Sequence, residues 1–144
     1  MNITNYVAGF IFGLQDYEIA LIRKNKPAWQ KGLLNGIGGK IEQGETAYEA
    51  MVREFQEETG VPTDQTDWRH FALLKGPQFT VDFFATRGDL KLLRSNEEEQ
   101  IEFIRVTDID PMRHDMIENL PWLISLAKDH LDDGRPRFTT AEYP

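Results

Sequence analysis

The 144-residue chain is 40% hydrophobic and 28% charged, as is ordinary for a globular protein, and we expect a single domain over residues 1–144. With 24 acidic side chains against 16 Lys and Arg, its net charge is −8, which argues against a nucleic-acid polymer as partner because such a polymer needs a basic surface. The chain has no cysteine, so disulfides and thiol chemistry are excluded. It has no apolar run near the ~20 residues of a membrane span and no signal-peptide pattern, so a cytoplasmic protein without a membrane partner is expected.

The first third of the chain predicts three strands around a lysine-bearing loop. Residues 5–12 are rich in β-forming side chains, and residues 18–23 repeat the pattern after a short turn, which predicts a β-hairpin. Residues 24–35 form the predicted loop, which carries three lysines and an exposed aromatic side chain, Trp29. The glycine-rich run 36–41 then predicts a short strand.

A helix is predicted between Thr46 and Gly60. Thr46 and Glu49 form the capping-box pattern at its start, and Gly60 is the residue type that closes a helix in the left-handed conformation. Apolar side chains at helical spacing form one face toward the core, namely Tyr48, Met51, Val52 and Phe55.

Three acidic side chains, Glu54, Glu57 and Glu58, lie along one edge of that apolar face, where the helix meets the rest of the protein. This placement is unfavourable for the helix by itself, because the carboxylates repel one another and crowd the negative end of the helix dipole. A solvated acidic face is the ordinary alternative. A hard divalent cation explains the placement, since Mg²⁺ prefers carboxylate oxygens and keeps its waters for a phosphate substrate.

Three further strands are indicated by β-forming runs, at 68–74, 78–86 and 101–106. The first two form an antiparallel pair around a Lys-Gly-Pro turn, and an acidic loop, 95–100, precedes the third. A final helix, ended by Gly134, starts at Asp115 or Asn119, and Asn119 is favoured as its cap because Pro121 fits only within a first turn. The last ten residues are expected to form an extended tail.

Residues 39–61 match the signature of the Nudix hydrolases, G-x5-E-x7-R-E-U-x-E-E-x-G-U, in which U is a bulky apolar residue. Every fixed position of the signature is filled, by Gly39, Glu45, Arg53, Glu54, Phe55, Glu57, Glu58, Gly60 and Val61. The chain therefore resembles this family, which implies an α/β/α sandwich with a mixed central β-sheet. Strands on both sides of a central helix, followed by a terminal helix, predict the same α/β class.

The resemblance also implies roles for the signature residues. Divalent cations, Mg²⁺ with Mn²⁺ as a substitute, would be bound by oxygen atoms of the Gly39 carbonyl and of Glu54, Glu57 and Glu58. Glu45 would orient Arg53, and Arg53 would hold the catalytic glutamates in place.

A further glutamate, from the loop before the late strand, would assist by binding metal or water. Its spacing to that strand favours Glu99, then Glu98, over Glu97, although a run of solvated charge is the alternative. The histidines at 70, 114 and 130 show no ligand spacing and are expected to be structural or surface side chains.

Residues 34–40 resemble the W-N-G-x-G-G-K segment of family members that clear oxidised purine nucleoside triphosphates, with Leu34 in place of the Trp. By that resemblance Asn35 would read the base, and Trp29 would stack on it. Asn119 would offer a second polar contact to the base edge. The alternative is that Asn35 caps a turn and Trp29 covers the core.

Four basic side chains are candidate phosphate contacts, namely Arg23, Lys24, Lys26 and Lys40. The sequence thus predicts Mg²⁺-dependent hydrolysis of a nucleoside di- or triphosphate to a monophosphate and pyrophosphate, or to two monophosphates, as in MutT-like clearance of 8-oxo-dGTP. Two alternatives stay open: a nucleoside-diphosphate-sugar pyrophosphatase of the ADP-ribose type, and a nucleotide-sensing module without turnover. The expected partner is a small nucleotide, bound by a monomer or a homodimer.

Overall fold

A computed structural model describes residues 2–15, 17–96, 98–133 and 138–144 of the chain. Its strands and helices are, in chain order, β1 (Thr4–Gly13), β2 (Glu18–Arg23), β3 (Leu34–Asn35), β4 (Ile37–Lys40), α1 (Ala47–Thr59), β5 (Arg69–Lys75), β6 (Phe79–Gly88), β7 (Gln100–Arg105), α2 (Leu120–Asp133) and β8 (Thr139–Glu142). Every strand and helix predicted from the sequence is present, with ends within one or two residues of those expected. Among the described residues, neither helix is long and apolar enough to cross a membrane.

The strands form a mixed sheet centred on β1. This strand runs parallel to β6 along its whole length and pairs antiparallel with β2 near its end, where Ile11 faces Ala20. At its beginning it pairs antiparallel with β4, where Val7 faces Gly39. Strands β1 and β2 therefore diverge, and the space between them is filled by β4, paired with β1, and β3, paired with β2. Strands β7 and β5 extend the sheet on β2 and β6, respectively.

Alternate side chains of the sheet face two separate cores. Phe10 of β1 points toward α2 and is buried in the same cluster as Leu123. Its neighbour Ile11 points toward α1 and is buried in the same cluster as Met51 and Phe55. Helices thus cover both faces of a mixed sheet, which confirms the predicted α/β/α sandwich.

The predicted boundaries of α1 follow from its caps. The Thr46 hydroxyl accepts a hydrogen bond from the Glu49 backbone N–H at 3.1 Å, and the Glu49 carboxylate accepts one from the Thr46 N–H at 3.0 Å. Gly60 ends the helix with a φ of 77°, and its N–H donates to the Gln56 carbonyl at 2.8 Å. The capping box and the left-handed glycine therefore fix both ends of the helix that carries the acidic side chains.

Two expectations about the chain ends and loops are wrong. Residues 139–142 are not an extended tail but form β8, which pairs in parallel with β5, and the Tyr143 N–H donates to the Lys75 carbonyl at 2.8 Å. Leu34 and Asn35 belong to β3 and not to the loop before it, because the diverging strands leave a free edge of β2 for them to pair with.

Asn119 directly precedes α2, as predicted, but its geometry is unusual. Its φ is 77°, in the left-handed region, and its side-chain oxygen accepts a hydrogen bond from the indole N–H of Trp122 at 2.8 Å. The helix does not start at Asp115, whose carbonyl instead accepts a β-type hydrogen bond from the Leu34 N–H at 2.7 Å. The predicted helix end at Gly134 lies outside the described residues.

Candidate active site

Arg53 joins the three parts of the signature segment. Its guanidinium donates two hydrogen bonds to the Glu45 carboxylate, at 2.7 and 2.9 Å, and one to the Lys40 carbonyl at 2.9 Å. A third donor, Nη1, lies 2.8 Å from Glu54 Oε1. The Arg53 guanidinium lowers the pKa of Glu45 to about 2, while the carboxylates it contacts raise the pKa of Arg53 itself. The loop before α1, strand β4 and the helix are therefore held together by one charge-assisted, bidentate network.

Glu54 lies directly against the backbone of β4. A Cβ atom added to Gly39 would stand 2.5 Å from Glu54 Oε1, so the glycine is what allows the carboxylate to approach the strand. Burial raises the pKa of the Glu54 carboxyl even though Arg53 opposes the shift. The Glu54 carboxylate thus lies against the backbone of β4, and carboxylate oxygens are the donors that Mg²⁺ prefers.

Glu58, one turn further along α1, faces the loop between β6 and β7. Burial, followed by repulsion from Glu99, raises the pKa of the Glu58 carboxyl to about 7. Its Oε2 accepts a hydrogen bond from the Asn96 side-chain amide at 3.2 Å. A buried carboxyl that is disfavoured as an anion gains most from a nearby cation.

Glu99 is the glutamate of the acidic loop that turns inward. Only 6% of the residue is exposed, and its carboxylate accepts hydrogen bonds from the Lys24 ammonium at 3.1 Å and the Asn25 N–H at 2.6 Å. The Asn96 side-chain oxygen accepts from the Glu98 and Glu99 N–H groups, at 2.9 and 2.8 Å, which sets the loop conformation. Glu98 instead forms an exposed pair with Lys26. Glu97, the third candidate, lies outside the described residues.

Glu57 is placed differently from its two neighbours in the signature. Its side chain is 60% exposed and lies 3.4 Å from Arg53 Nη1, so it points outward from the helix instead of into the protein body. Within the part of the chain that the structure describes, no three acidic or histidine side chains are already arranged around a common metal position. The reason is local: Glu54 is turned to Arg53 and Glu57 to solvent. The half-buried carboxyl groups of Glu54 and Glu58 nevertheless supply the hard oxygen donors that a divalent cation prefers, so the residues present fit such an ion.

The basic candidates separate into two groups. Arg23 is held in ion pairs with Glu102 and Asp115, and it also donates to the Gly32 carbonyl at 2.7 Å. The Glu102 carboxylate raises the pKa of Arg23, so the guanidinium is a fixed cation between strands and loops. Lys24 is the lysine that reaches the buried acids, whereas the side chain of Lys40 is exposed beside them.

The candidate base contacts lie around β3 and the start of α2. Trp29 is 70% exposed, so it does not cover the core. The Asn35 side-chain oxygen accepts from the Gly36 N–H at 2.7 Å, and its amide donates to Gln30 at 3.3 Å, which is the turn-capping geometry left open above. The side-chain nitrogen of Asn119 is buried and has no hydrogen-bond partner among the described residues. An unsatisfied buried donor of this kind points to a missing acceptor.

The histidines lie outside this arrangement. His70 stacks on Phe84 in the sheet, with ring centroids 4.7 Å apart, and His130 is buried in α2. The sequence had missed Asn25 and Asn96, which hold Glu99 and Glu58. Asn96 precedes an acidic run at the spacing of an Asx cap, which is a signal that could have identified it.

Comparisons with known proteins agree with this geometry. A family model of the NUDIX domain matches residues 5–123. Putative nudix hydrolase 1 of Caenorhabditis elegans is 32% identical over 110 residues, which is 73% of this chain and 30% of that protein. The 8-oxo-dGTP diphosphatase of Escherichia coli strain K12 is 39% identical over 61 residues, which is 42% of this chain and 43% of that protein.

A solved structure of MutT, from work on Aliivibrio salmonicida and Vibrio cholerae, has the same fold. It is 26% identical to this chain, with a TM-score of 0.73, and the match covers 89% of this chain and 99% of that one. The chain spans less than half the length of the two curated relatives described above. Because the family model nevertheless matches most of the chain, the protein belongs to the Nudix family.

Proposed function

We propose that the protein is a Mg²⁺-dependent nucleoside triphosphate pyrophosphohydrolase that releases a nucleoside monophosphate and pyrophosphate. The observation that carries the proposal is that the half-buried Glu58 carboxyl is repelled by the charges of both Glu54 and the buried Glu99, beside the close approach of Glu54 to Gly39. Such a group of acids is costly unless a cation neutralises it. Nudix hydrolases use divalent metal ions, and Mg²⁺ suits the oxygen donors found here.

The residues that would hold the metal are the Gly39 carbonyl and the carboxylates of Glu54, Glu57 and Glu58. When bound, the metal supplies positive charge that neutralises a polyphosphate and makes water a better nucleophile. Arg53 fixes the direction of Glu54 through its own bond to Glu45.

The acidic loop supplies the remaining chemistry. The Glu99 carboxylate, held by the Asn25 N–H, faces Glu58 and is proposed to accept a hydrogen bond from the attacking water. Glu58 would hold the metal on the side facing Glu99, because a cation there would relieve the repulsion between the two carboxylates. Lys24 and Lys40 are the proposed phosphate contacts. Arg23 is already engaged by Glu102 and Asp115, so we propose that it shapes the site instead of binding phosphate.

For the substrate, we propose a purine triphosphate, with an oxidised purine deoxynucleotide such as 8-oxo-dGTP as the preferred form. The Asn119 side-chain N–H₂ is buried and unsatisfied, so a base oxygen or nitrogen that reached it would supply the missing acceptor, and the exposed Trp29 ring suits stacking on a base. Asn35 is a further proposed base contact, since each of its amide atoms can form a second hydrogen bond. The name of the Escherichia coli relative supports the same substrate class.

The test is a screen of nucleoside di- and triphosphates, dinucleotides and nucleotide sugars with Mg²⁺, in which products are identified by mass. We expect pyrophosphate release from purine triphosphates. Preferred cleavage of ADP-ribose would instead establish the nucleotide-sugar alternative, and tight nucleotide binding without products would establish a sensing module.

The variant that tests the metal site is Glu57→Gln. It should lower kcat by about 10³-fold because a metal ligand is lost. Glu57 is largely exposed, and among the described residues its carboxylate pairs with Arg53 at 3.4 to 3.5 Å, so circular dichroism and the melting temperature should show an unchanged fold. Glu49→Gln is the matched control, since Gln also completes a capping box. Turnover of Glu57→Gln at the wild-type rate would refute the assignment of the metal site.

A further inference from the structure

Lys24 places one ammonium group among the buried carboxylates of the proposed metal site. Its Nζ lies 3.1 Å from Glu99 Oε1, and the two side chains are 17% and 5% exposed, respectively. The same positive charge acts on Glu58, where it partly offsets the repulsion from Glu99. Lys24 is therefore the charge that makes this pair of acids tolerable in the absence of metal.

A second lysine–glutamate pair in the same two loops shows what is special about Lys24. Lys26 lies 3.4 Å from Glu98, but the two side chains are 75% and 68% exposed. Exposed pairs of this kind are screened by water and contribute little. Of these two lysines, Lys24 is therefore the one whose glutamate partner is buried.

The backbone around Lys24 is fixed, so only its side chain is free to move. The Lys24 N–H donates to the Leu33 carbonyl at 2.8 Å, and its carbonyl accepts from the Gly32 N–H at 2.9 Å. Glu99 is also held without the lysine, because the Asn25 N–H donates to its second carboxylate oxygen at 2.6 Å. Loss of the ammonium would thus leave Glu99 in place and aimed at the site.

We propose that Lys24 is a resident counter-ion which a divalent cation displaces from Glu99. This inference rests on the proposed function, in that it takes a divalent cation to bind beside Glu58 and Glu99. A doubly charged ion neutralises the two carboxylates more completely than one ammonium does, and the two cations repel each other across a buried site. The flexible lysine side chain then leaves Glu99 and becomes available to the phosphates of the substrate. Lys24 is thus a positioning residue that pairs with Glu99 before the metal binds and with the substrate phosphates afterwards.

Metal binding without any nucleotide tests the displacement directly. Mn²⁺ binding is followed by electron paramagnetic resonance, and Mg²⁺ binding by calorimetry, for the wild type, Lys24→Gln, Lys24→Arg and Lys26→Gln. Removal of the competing charge should tighten metal binding by Lys24→Gln about 3- to 10-fold. Metal binding should tighten even if the metal must displace a proton from the site. Loss of the lysine charge favours a divalent ion twice as strongly as it favours a singly charged proton. Lys24→Arg and Lys26→Gln should bind metal within about twofold of the wild type.

A second readout follows the side chain itself. In protein labelled at the lysine ¹³Cε atoms, the Lys24 signal, identified by its loss in Lys24→Arg, should move on Mg²⁺ addition toward the position of exposed lysines. The Lys26 signal should stay where it is.

Unchanged metal affinity in Lys24→Gln, or an unmoved Lys24 signal at saturating Mg²⁺, would overturn the counter-ion role. Weaker metal binding together with a lower melting temperature would also overturn it, since Lys24 would then only hold Glu99 in place. If the wild type itself binds neither Mg²⁺ nor Mn²⁺, the proposed function fails first, so the two failures are distinguishable.

Discussion

The signature segment, residues 39–61, is held together by near neighbours in the chain, whereas the proposed substrate side of the site, called the substrate side below, is held by distant ones. In the signature segment Arg53 contacts Glu45, Glu54 and the Lys40 carbonyl, and the most distant of these is 13 residues away. The helix that carries the acids is closed by caps within the same segment. The contacts of Arg53 and the ends of α1 are therefore encoded within the signature segment itself.

The substrate side consists of loop 24–33 and segment 110–119, and it depends on residues far apart in sequence. Arg23 joins the loop to Glu102 and Asp115, which lie 79 and 92 residues further along the chain. Arg113, a second arginine in segment 110–119, completes the network by donating to the Asp115 carboxylate. Under the proposed function, the locally encoded motif would perform hydrolysis and the separately assembled surface would select the substrate.

Gly39→Ala tests the signature side, with a larger expected effect than any substitution on the substrate side. The added Cβ would lie 2.5 Å from Glu54 Oε1, so the carboxylate must move away from the strand that it now touches. We expect kcat with Mg²⁺ to fall about 10²-fold, because ligand positions must be kept to within a fraction of an ångström. The measurement is pyrophosphate release at saturating substrate across a series of Mg²⁺ concentrations.

Gly44→Ala is the control for that substitution. Gly44 has a φ of 82° and open space around its Cβ position, so alanine there strains the backbone without touching the acids. It should lower the melting temperature with little change in kcat. Full activity in Gly39→Ala would show that Glu54 does not need to approach β4.

Trp29→Ala tests the substrate side, where a smaller and more selective effect is expected. Loss of a stacking ring should raise KM for purine triphosphates about tenfold and leave kcat nearly unchanged. Phe103→Ala is a suitable control, because Phe103 is also an exposed aromatic side chain but lies on β7. Equal increases in KM for all nucleotides, pyrimidines included, would contradict a base-stacking role.

The sequence predicted the signature side well because its contacts are local. Thr46, Glu49 and Gly60 stand at the spacing that caps require, and the fixed positions of the signature identified Arg53 and its partner Glu45. The prediction for Glu57 was less good, since helical periodicity places a side chain on a stripe but does not decide whether it turns inward.

Long-range contacts account for most of what the sequence did not show. Arg23 was expected to bind phosphate, but its partners, Glu102 and Asp115, are set by the pairing of β2 with β7 and by the segment before α2. The preference for Glu99 over Glu98 rested on spacing alone, and the contact with Lys24 became evident only in the folded chain. Strand β8 is short and polar, so no local pattern distinguishes it from a tail.

The smallest expected effect is on the pH dependence of stability. It measures the free-energy cost of the acidic side chains when no metal is bound. The pKa of Glu58 is raised from an ordinary 4.5 to about 7 in the folded protein. The unfolded chain therefore loses this proton at lower pH than the folded one does, so the free energy of unfolding should fall as pH rises from about 4.5 to 7 and then level off. Glu54 shifts in the same direction and adds to this trend.

Glu58→Gln isolates this contribution, because the amide oxygen can still accept a hydrogen bond from Asn96 but carries no charge. In EDTA at pH 8 the variant should be more stable than the wild type by about 1–2 kcal/mol, and at pH 4 the two should be equal. Denaturant unfolding at the two pH values measures the difference, with Glu49→Gln as the exposed control. A variant less stable than the wild type at pH 8 would mean that the Glu58 anion is already well compensated. Asp115 and Glu45, whose pKa values are lowered to about 2 by Arg113 and Arg53, respectively, act in the opposite sense to Glu58: the stability that they contribute is lost only as pH falls below about 4.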